Sequence, residues 1–185
     1  MTSSNVTQRL KDEHQLILRM ISLVEKNTEL LEAGQFRNWQ FYLDAVDFIR
    51  NYADSFHHAK EEDVLFVELV TNGMPAKSSP IEAMLMEHDE GRAHVKAMEE
   101  GAQKALDGET GQIPAIVEHA RGYAALLRGH IDKEDTILYP LAERVLPAEV
   151  RERMLGAYTK AAAKTPDLEA RYQKMVEEYE RQAAA

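Results

Sequence analysis

FHHAKEEDVLF (56–66) and GHIDKEDTILY (129–139) can be laid one on the other, with His57 on His130, Lys60 on Lys133, Glu61 on Glu134 and Leu65 on Leu138. In each, a histidine and a glutamate stand four residues apart, so on a helix they share one face. A second pair of stretches, KDEHQ (11–15) and LMEHD (85–89), places His14 on His88. The spacings agree, with 43 residues from His14 to His57 and 42 from His88 to His130. The chain therefore reads as two repeats of one helical hairpin, offset by 73 or 74 residues, which would pack about a pseudo-two-fold axis. Each repeat supplies one lone histidine and one HxxxE pair.

Outward from these stretches, apolar residues recur at helical spacing and glycine and proline fall in a few places, such as TNGMPAKSSP (71–80) and DGETGQIP (107–114). The pattern predicts helices over about 5–33, 36–71, 79–107 and 112–146, and shorter ones near 148–163 and 167–183. The first four would each be about 40–50 Å long at about 1.5 Å per residue. Long helices on short connections form an antiparallel up-down-up-down four-helix bundle. The expected fold is thus all-α, with the bundle over 1–147 and a C-terminal helical hairpin over 148–185 packed on it.

The inward stripes can be traced. They run through Leu10, His14, Ile17, Ile21, Val24, Thr28 and Leu31; through Val46, Ile49, Ala53, His57, Glu61 and Val64; through Ile81, Met84, His88, Gly91, Val95 and Met98; and through Ile116, Ala120, Tyr123, Leu127, His130, Glu134, Ile137 and Leu141. Each is a bundle-core stripe interrupted by histidine. Six such polar groups buried without partners would cost several kcal/mol apiece, so something must satisfy them. Four imidazoles and two carboxylates aimed at one core suit two metal ions. Each ion would take two imidazole nitrogens, both carboxylates would bridge, and with a bridging oxide one position would stay open to a small molecule. Nitrogen and oxygen donors without sulfur suit iron or manganese, and zinc less decisively.

Composition narrows the field. The 185 residues carry a net charge of −10, which argues against nucleic acid and anionic lipid as partners. With no cysteine, disulfides, thiolate zinc sites, cysteine-ligated iron–sulfur clusters and a cysteine nucleophile are excluded. MTSSNVTQRLKDEHQ (1–15) has no apolar core of a secretory signal, and no apolar run approaches the roughly 18 residues of a membrane span. The expectation is a soluble, cytoplasmic protein, monomer or homodimer.

DEHQLIL (12–18), FHHAKEEDVLF, EHDEGR (87–92) and HIDKEDTILYP (130–140) together resemble the hemerythrin-like family, whose domain is also called the HHE cation-binding domain. The resemblance covers about residues 7–147. It implies a four-helix bundle around an oxo- or hydroxo-bridged pair of irons. The implied metal ligands are His14, His57, Glu61, His88, His130 and Glu134, with both glutamates as bridges. Two departures stand out. The oxygen carriers of the family have a fifth histidine where this chain has Arg92. They also have HxxxxD in the fourth helix, so Asp135 competes with Glu134 as second bridge. Members with HxxxE and no fifth histidine are associated with peroxide removal, nitric oxide handling and iron sensing. The resemblance thus implies a protein that binds or reacts with peroxide, oxygen or nitric oxide at an open iron position, as an enzyme or protective protein. The alternative is a non-catalytic protein that stores or senses oxygen or iron.

The remaining candidates carry less. His58 and Glu62 form an overlapping HxxxE about 100° around the helix, placed outward or behind the ligands. His94 and His119 are expected in solvent, and Met20, Met84, Met86 and Met98 as core filler. Tyr123 is either a core tyrosine or one that acts beside the metals, and Tyr52 is a weaker instance of the same choice. Arg92 either pairs with a carboxylate such as Glu61 or an acidic neighbour, or stabilises a bound anion. Gly91 would leave room for a channel. Leu168, Tyr172, Met175, Val176 and Tyr179 give the tail one apolar side, for packing on the bundle or for dimerisation.

Overall fold

Every long connection in the chain falls where a helix has been stopped by a specific backbone device. The computed structural model describes residues 5–184. Six helices account for nearly all of it, with no strand among the described residues: α1 (Gln8–Glu32), α2 (39–71), α3 (Pro80–Leu106), α4 (113–145), α5 (Ala148–Ala162) and α6 (Leu168–Ala184). After α1, Gly34 takes φ +77°, and the Gln35 and Gly34 amides close back on the carbonyls of Leu30 and Leu31. Gly73, at φ +101°, ends α2 the same way, with Met74 and Gly73 donating to Leu69 and Val70. Pro80 opens α3 at its first turn, where a missing N–H costs nothing.

The four long helices form an all-α bundle in which α1 packs on α4, α4 on α3 and α3 on α2. Two apolar layers fill it. One holds Ile17, Met20, Val24, Phe41, Tyr42, Phe48, Val95, Met98 and Leu127; the other holds Leu10, Leu65, Leu69, Ile81, Met84, Leu138 and Tyr139. The buried histidines His14, His57, His88 and His130 lie between these layers. The tail helices complete one layer each. Val150, Met154 and Tyr158 of α5 join the second, and Tyr172 and Val176 of α6 join the first. Leu168, Met175 and Tyr179 pack beside them, so the apolar side of α6 is covered within the chain. No helix among the described residues is long and apolar enough to cross a membrane.

Two helices are not α-helical throughout. In α2, Ile49–His58 and Glu61–Leu65 are wound as π-helix, and in α4 Glu134–Leu138 is. These turns hold more residues than an α-turn because each bond reaches five residues instead of four. The inward stripe therefore shifts register. Beyond Glu134 the expected positions Ile137 and Leu141 give way to Leu138, Tyr139 and Ala142, and Ile137 is left 57% exposed. In α2 Val64 is only half-buried, while Leu65 and Phe66 face the core. In α4 the wide turns come just before Pro140, which has no N–H for the carbonyl one turn back. Met86 is a further departure: Met20, Met84 and Met98 fill core, but Met86 is 68% exposed, on the outer face of α3.

Candidate metal centre

All six sequence-derived ligand candidates converge. His14, His57, Glu61, His88, His130 and Glu134 are buried, and they come from four different helices. Their Nε2 atoms face inward in pairs. His14 Nε2 lies 3.0 Å from His57 Nε2, and His88 Nε2 lies 3.0 Å from His130 Nε2. Imidazole nitrogens bind a small divalent ion at about 2.0–2.1 Å. Two such bonds at right angles would hold their nitrogens about 3 Å apart, so both pairs are already spaced as chelating pairs.

The glutamates lie across the two pairs. Glu134 puts Oε2 3.3 Å from His14 Nε2 and Oε1 3.1 Å from His130 Nε2. Glu61 Oε2 is 3.7 Å from His57 Nε2 and 3.6 Å from His88 Nε2. None of these approaches satisfies the carboxylates: Glu61 Oε2 and both oxygens of Glu134 are buried with no hydrogen-bond partner among the described residues. Unpaired carboxylate oxygens in a dry core are costly, and a cation is the partner their chemistry lacks. The residues present fit a pair of metal ions. Two donor groups result, His14, His57 and Glu134 on one side and His58, Glu61, His88 and His130 on the other.

Behind the imidazoles stands a set of carboxylates, one per histidine, each facing Nδ1. Asp135 Oδ1 is 3.0 Å from His14 and Glu13 Oε2 is 3.0 Å from His57. Glu62 Oε1 is 2.7 Å from His88 and Glu87 Oε2 is 2.8 Å from His130. Each holds Nδ1–H as donor and leaves Nε2 free to bind, the usual support of a metal-bound histidine. The set obeys the repeat: Glu13 matches Glu87, and Glu62 matches Asp135. Lys60 donates to the second oxygen of Glu13 at 2.6 Å, and its repeat mate Lys133 donates to Glu87. Of these six residues, the sequence had offered Asp135 as a competing bridge and set Glu62 outward or behind the ligands, while Glu13, Glu87, Lys60 and Lys133 were given no role. The signal was present, since both alignments carry a shared Glu before the lone histidine and a shared Lys within HxxxE.

The geometry separates Asp135 from Glu134. Asp135 sits on the outer nitrogen of His14, and it is Glu134 that reaches the inner nitrogens. Of the two places expected for His58, the outward one is excluded. His58 is buried, stacked on His88 with ring centroids 3.8 Å apart, and held at Nδ1 by Asp54. In the wide turns of Ile49–His58 both His57 and His58 are turned to the interior. Tyr139, missed in the sequence, donates its hydroxyl to Glu61 Oε1 at 2.5 Å and stacks on His14.

Without a cation the cluster is electrostatically frustrated. Burial, followed by the neighbouring His14, holds His57 well below the ordinary histidine range. Burial together with the charges of His58 and His130 pushes His88 down to about 3. Against its own burial, His14 is raised to about 9 by Asp135 and Glu134. Burial and the negative neighbour Glu134 push Glu61 well above the carboxylate range.

The other candidates lie outside the cage. Arg92 pairs with Asp54, Glu62 and Asp89 rather than with Glu61. His94 and His119 are half-buried and face each other across α3 and α4, Nδ1 to Nδ1 at 3.1 Å, with the His94 ring filling the space beside Gly122. Tyr52 belongs to the apolar layer with Phe48, Phe56 and Tyr172, away from the metal centre. Tyr123 and Gly91 line a cavity of about 260 Å³ that ends on His58, His88 and His130.

Comparison with known proteins agrees with this geometry. No curated protein and no solved structure matched the chain. The family model of the hemerythrin HHE cation-binding domain matches residues 5–142, which holds every residue of the cage and of the carboxylate set. With three-quarters of its length matched, the chain belongs to the hemerythrin HHE cation-binding domain family.

Proposed function

We propose that the chain holds two metal ions, iron in the cell, and uses them to bind or react with a small oxidant such as peroxide, oxygen or nitric oxide. The observation that carries this reading is the placement of Glu61 and Glu134, each spanning both histidine pairs with oxygens that have no other partner. His14 and His57 would hold one ion, His88 and His130 the other, and the two glutamates both. His58, with its inner nitrogen grouped with those of His88 and His130, is a third imidazole available to the second ion. Iron suits the all-nitrogen-and-oxygen donor set, and manganese or zinc would also be accepted. A pair of irons would supply electrons one per metal and a Lewis-acidic face for a small oxidant.

The protein's own groups set the conditions for that chemistry. Four carboxylates fix the imidazole tautomers before metal arrives, so little reorganisation is needed on binding. Tyr139 holds one oxygen of Glu61 and closes the His14 side, whereas the cavity leaves the His88 and His130 side open to a ligand. The two apolar layers keep bulk water from the centre.

Metal content of the purified protein, with its visible spectrum before and after peroxide, tests the proposal. Two irons per chain with gas evolution on peroxide are expected. Two irons with a stable oxygenated adduct and no turnover would move the reading to oxygen carriage or sensing. A colourless protein that cannot be loaded with iron would refute it.

A further inference from the structure

The cavity that ends on His58, His88 and His130 is far larger than the oxidants considered above. Its volume is about 260 Å³, whereas a water molecule takes roughly 30 Å³ in the liquid, so peroxide or a diatomic would leave most of it empty. It runs between α2, α3 and α4 from the imidazoles to Lys96, eight residues beyond His88 and hence about 12 Å along α3. Its walls are mainly apolar, built by Ile49, Val95, Leu126 and Leu127. One buried polar atom on it lacks a partner: the hydroxyl of Tyr123, a residue only 2% exposed. The charges at its rim do not call for an ionic ligand. Arg92 is paired with Asp54 and Glu62, Arg50 with Glu99, and Lys96 is in solvent.

The repeat shows that this space is particular to one side. Three residues after the lone histidine, the first repeat has Ile17, buried in the core, and the second has Gly91. A Cβ at Gly91 would meet Tyr123 at 3.5 Å, ordinary contact, so close packing does not demand glycine there. What glycine preserves is the open volume beside the imidazoles.

We propose that this cavity binds a small organic molecule with an apolar body and a neutral oxygen-bearing head, of the hydroperoxide or alcohol class. The body lies against Ile49, Val95, Leu126 and Leu127, and the head hydrogen-bonds the Tyr123 hydroxyl. That the head faces a metal pair rests on the function proposed above; the binding itself does not.

The test uses unreactive probes on the full chain: 2-phenyl-2-propanol, and isopropylbenzene as the same body without the hydroxyl. Binding is read by calorimetry and ligand-observed NMR, with metal content measured on each sample. Tyr123→Phe is expected to weaken the alcohol roughly three- to tenfold, the worth of one hydrogen bond, and to leave the hydrocarbon unchanged. Gly91→Leu, which fills the cavity, is expected to abolish both. Failure of the wild-type chain to bind the alcohol, or equal binding by Gly91→Leu, overturns the proposal. So does an equal effect of Tyr123→Phe on both probes. Probe binding by a chain that takes no metal would leave the cavity standing and sink the proposed function. A metal-loaded chain that ignores both probes would do the reverse.

Discussion

Asp135 and Glu134 are adjacent residues with different partners, and exchanging their fates is the sharpest test of the metal centre. Asp135→Ala strips the acceptor, 3.0 Å away, from Nδ1 of the buried His14. A buried donor left without a partner costs about 1–3 kcal/mol of stability. Loss of the carboxylate behind a metal-ligating histidine typically weakens metal binding about 10–100-fold, or about 1.4–2.7 kcal/mol. The weakening should fall on the ion held by His14 and His57, with two ions per chain still reached at saturation. Asp135→Asn keeps an oxygen for Nδ1–H and drops only the charge, so it should sit near the tenfold end. Glu134→Ala removes both oxygens that reach His14 and His130, and should hold the stoichiometry below two ions per chain at any metal concentration. The assay is anaerobic titration with iron(II) against a chromophoric chelator, with circular dichroism on each variant as a check on folding. His94→Ala, outside the cage, serves as the control with unchanged affinity. Two full ions in Glu134→Ala together with lost stoichiometry in Asp135→Ala would refute the assignment and exchange the two roles.

Tyr139→Phe removes the hydrogen bond to Glu61 Oε1 and leaves both oxygens of that glutamate without a protein partner. It should shift the visible spectrum of the iron-loaded protein; an unchanged spectrum would reduce Tyr139 to core filler. Tyr172→Ala removes a fully buried ring packed edge-on to Phe48, and with it the hydroxyl that donates to Asp47 Oδ2 at 2.8 Å. Urea unfolding should show a loss of about 3–4 kcal/mol, and a loss below about 1 kcal/mol would mean that α6 contributes little to the fold. The Tyr172 hydroxyl is pushed up to about 12 by burial and by its bond to Asp47, against about 10 in an unfolded chain. The unfolded chain thus loses that proton first, so the contribution to stability is complete below about pH 10 and declines as pH rises toward 12. Tyr172→Phe should flatten that decline in urea midpoints measured between about pH 8 and 11, and an identical decline in the variant would refute the linkage.

The inward histidines were legible because they lie where a 3.6-residue period puts them and because the repeat states each one twice. The carboxylate set was half legible. Glu13 and Glu87 stand beside the lone histidines in both repeats, yet their targets, His57 and His130, are on the next helix, and a stripe on one helix cannot name a partner on another. What a regular period could not show is the π-winding. Wide turns at Glu61–Leu65 and Glu134–Leu138 occupy matching places in the two repeats, so the departure is itself duplicated. It turns the residue five beyond Glu61 and Glu134 to the interior, Phe66 in one repeat and Tyr139 in the other. A π-turn is an uncommon geometry with a recurrent association with functional sites. Here it sets the residue that closes over the cage. The repeats agree on the six inward histidines and glutamates, on the carboxylates behind all four imidazoles and on the lysines, all of which a pair of ions would need. They differ at Phe66 against Tyr139, at Ile17 against Gly91 and at His58 against Ile131. Those three differences set the two sides of the cage apart: one side is shut by a tyrosine bonded to Glu61, and the other carries an extra imidazole beside an open cavity. The duplicated residues thus build the cage of buried donors, and the residues that break the duplication give it one open face.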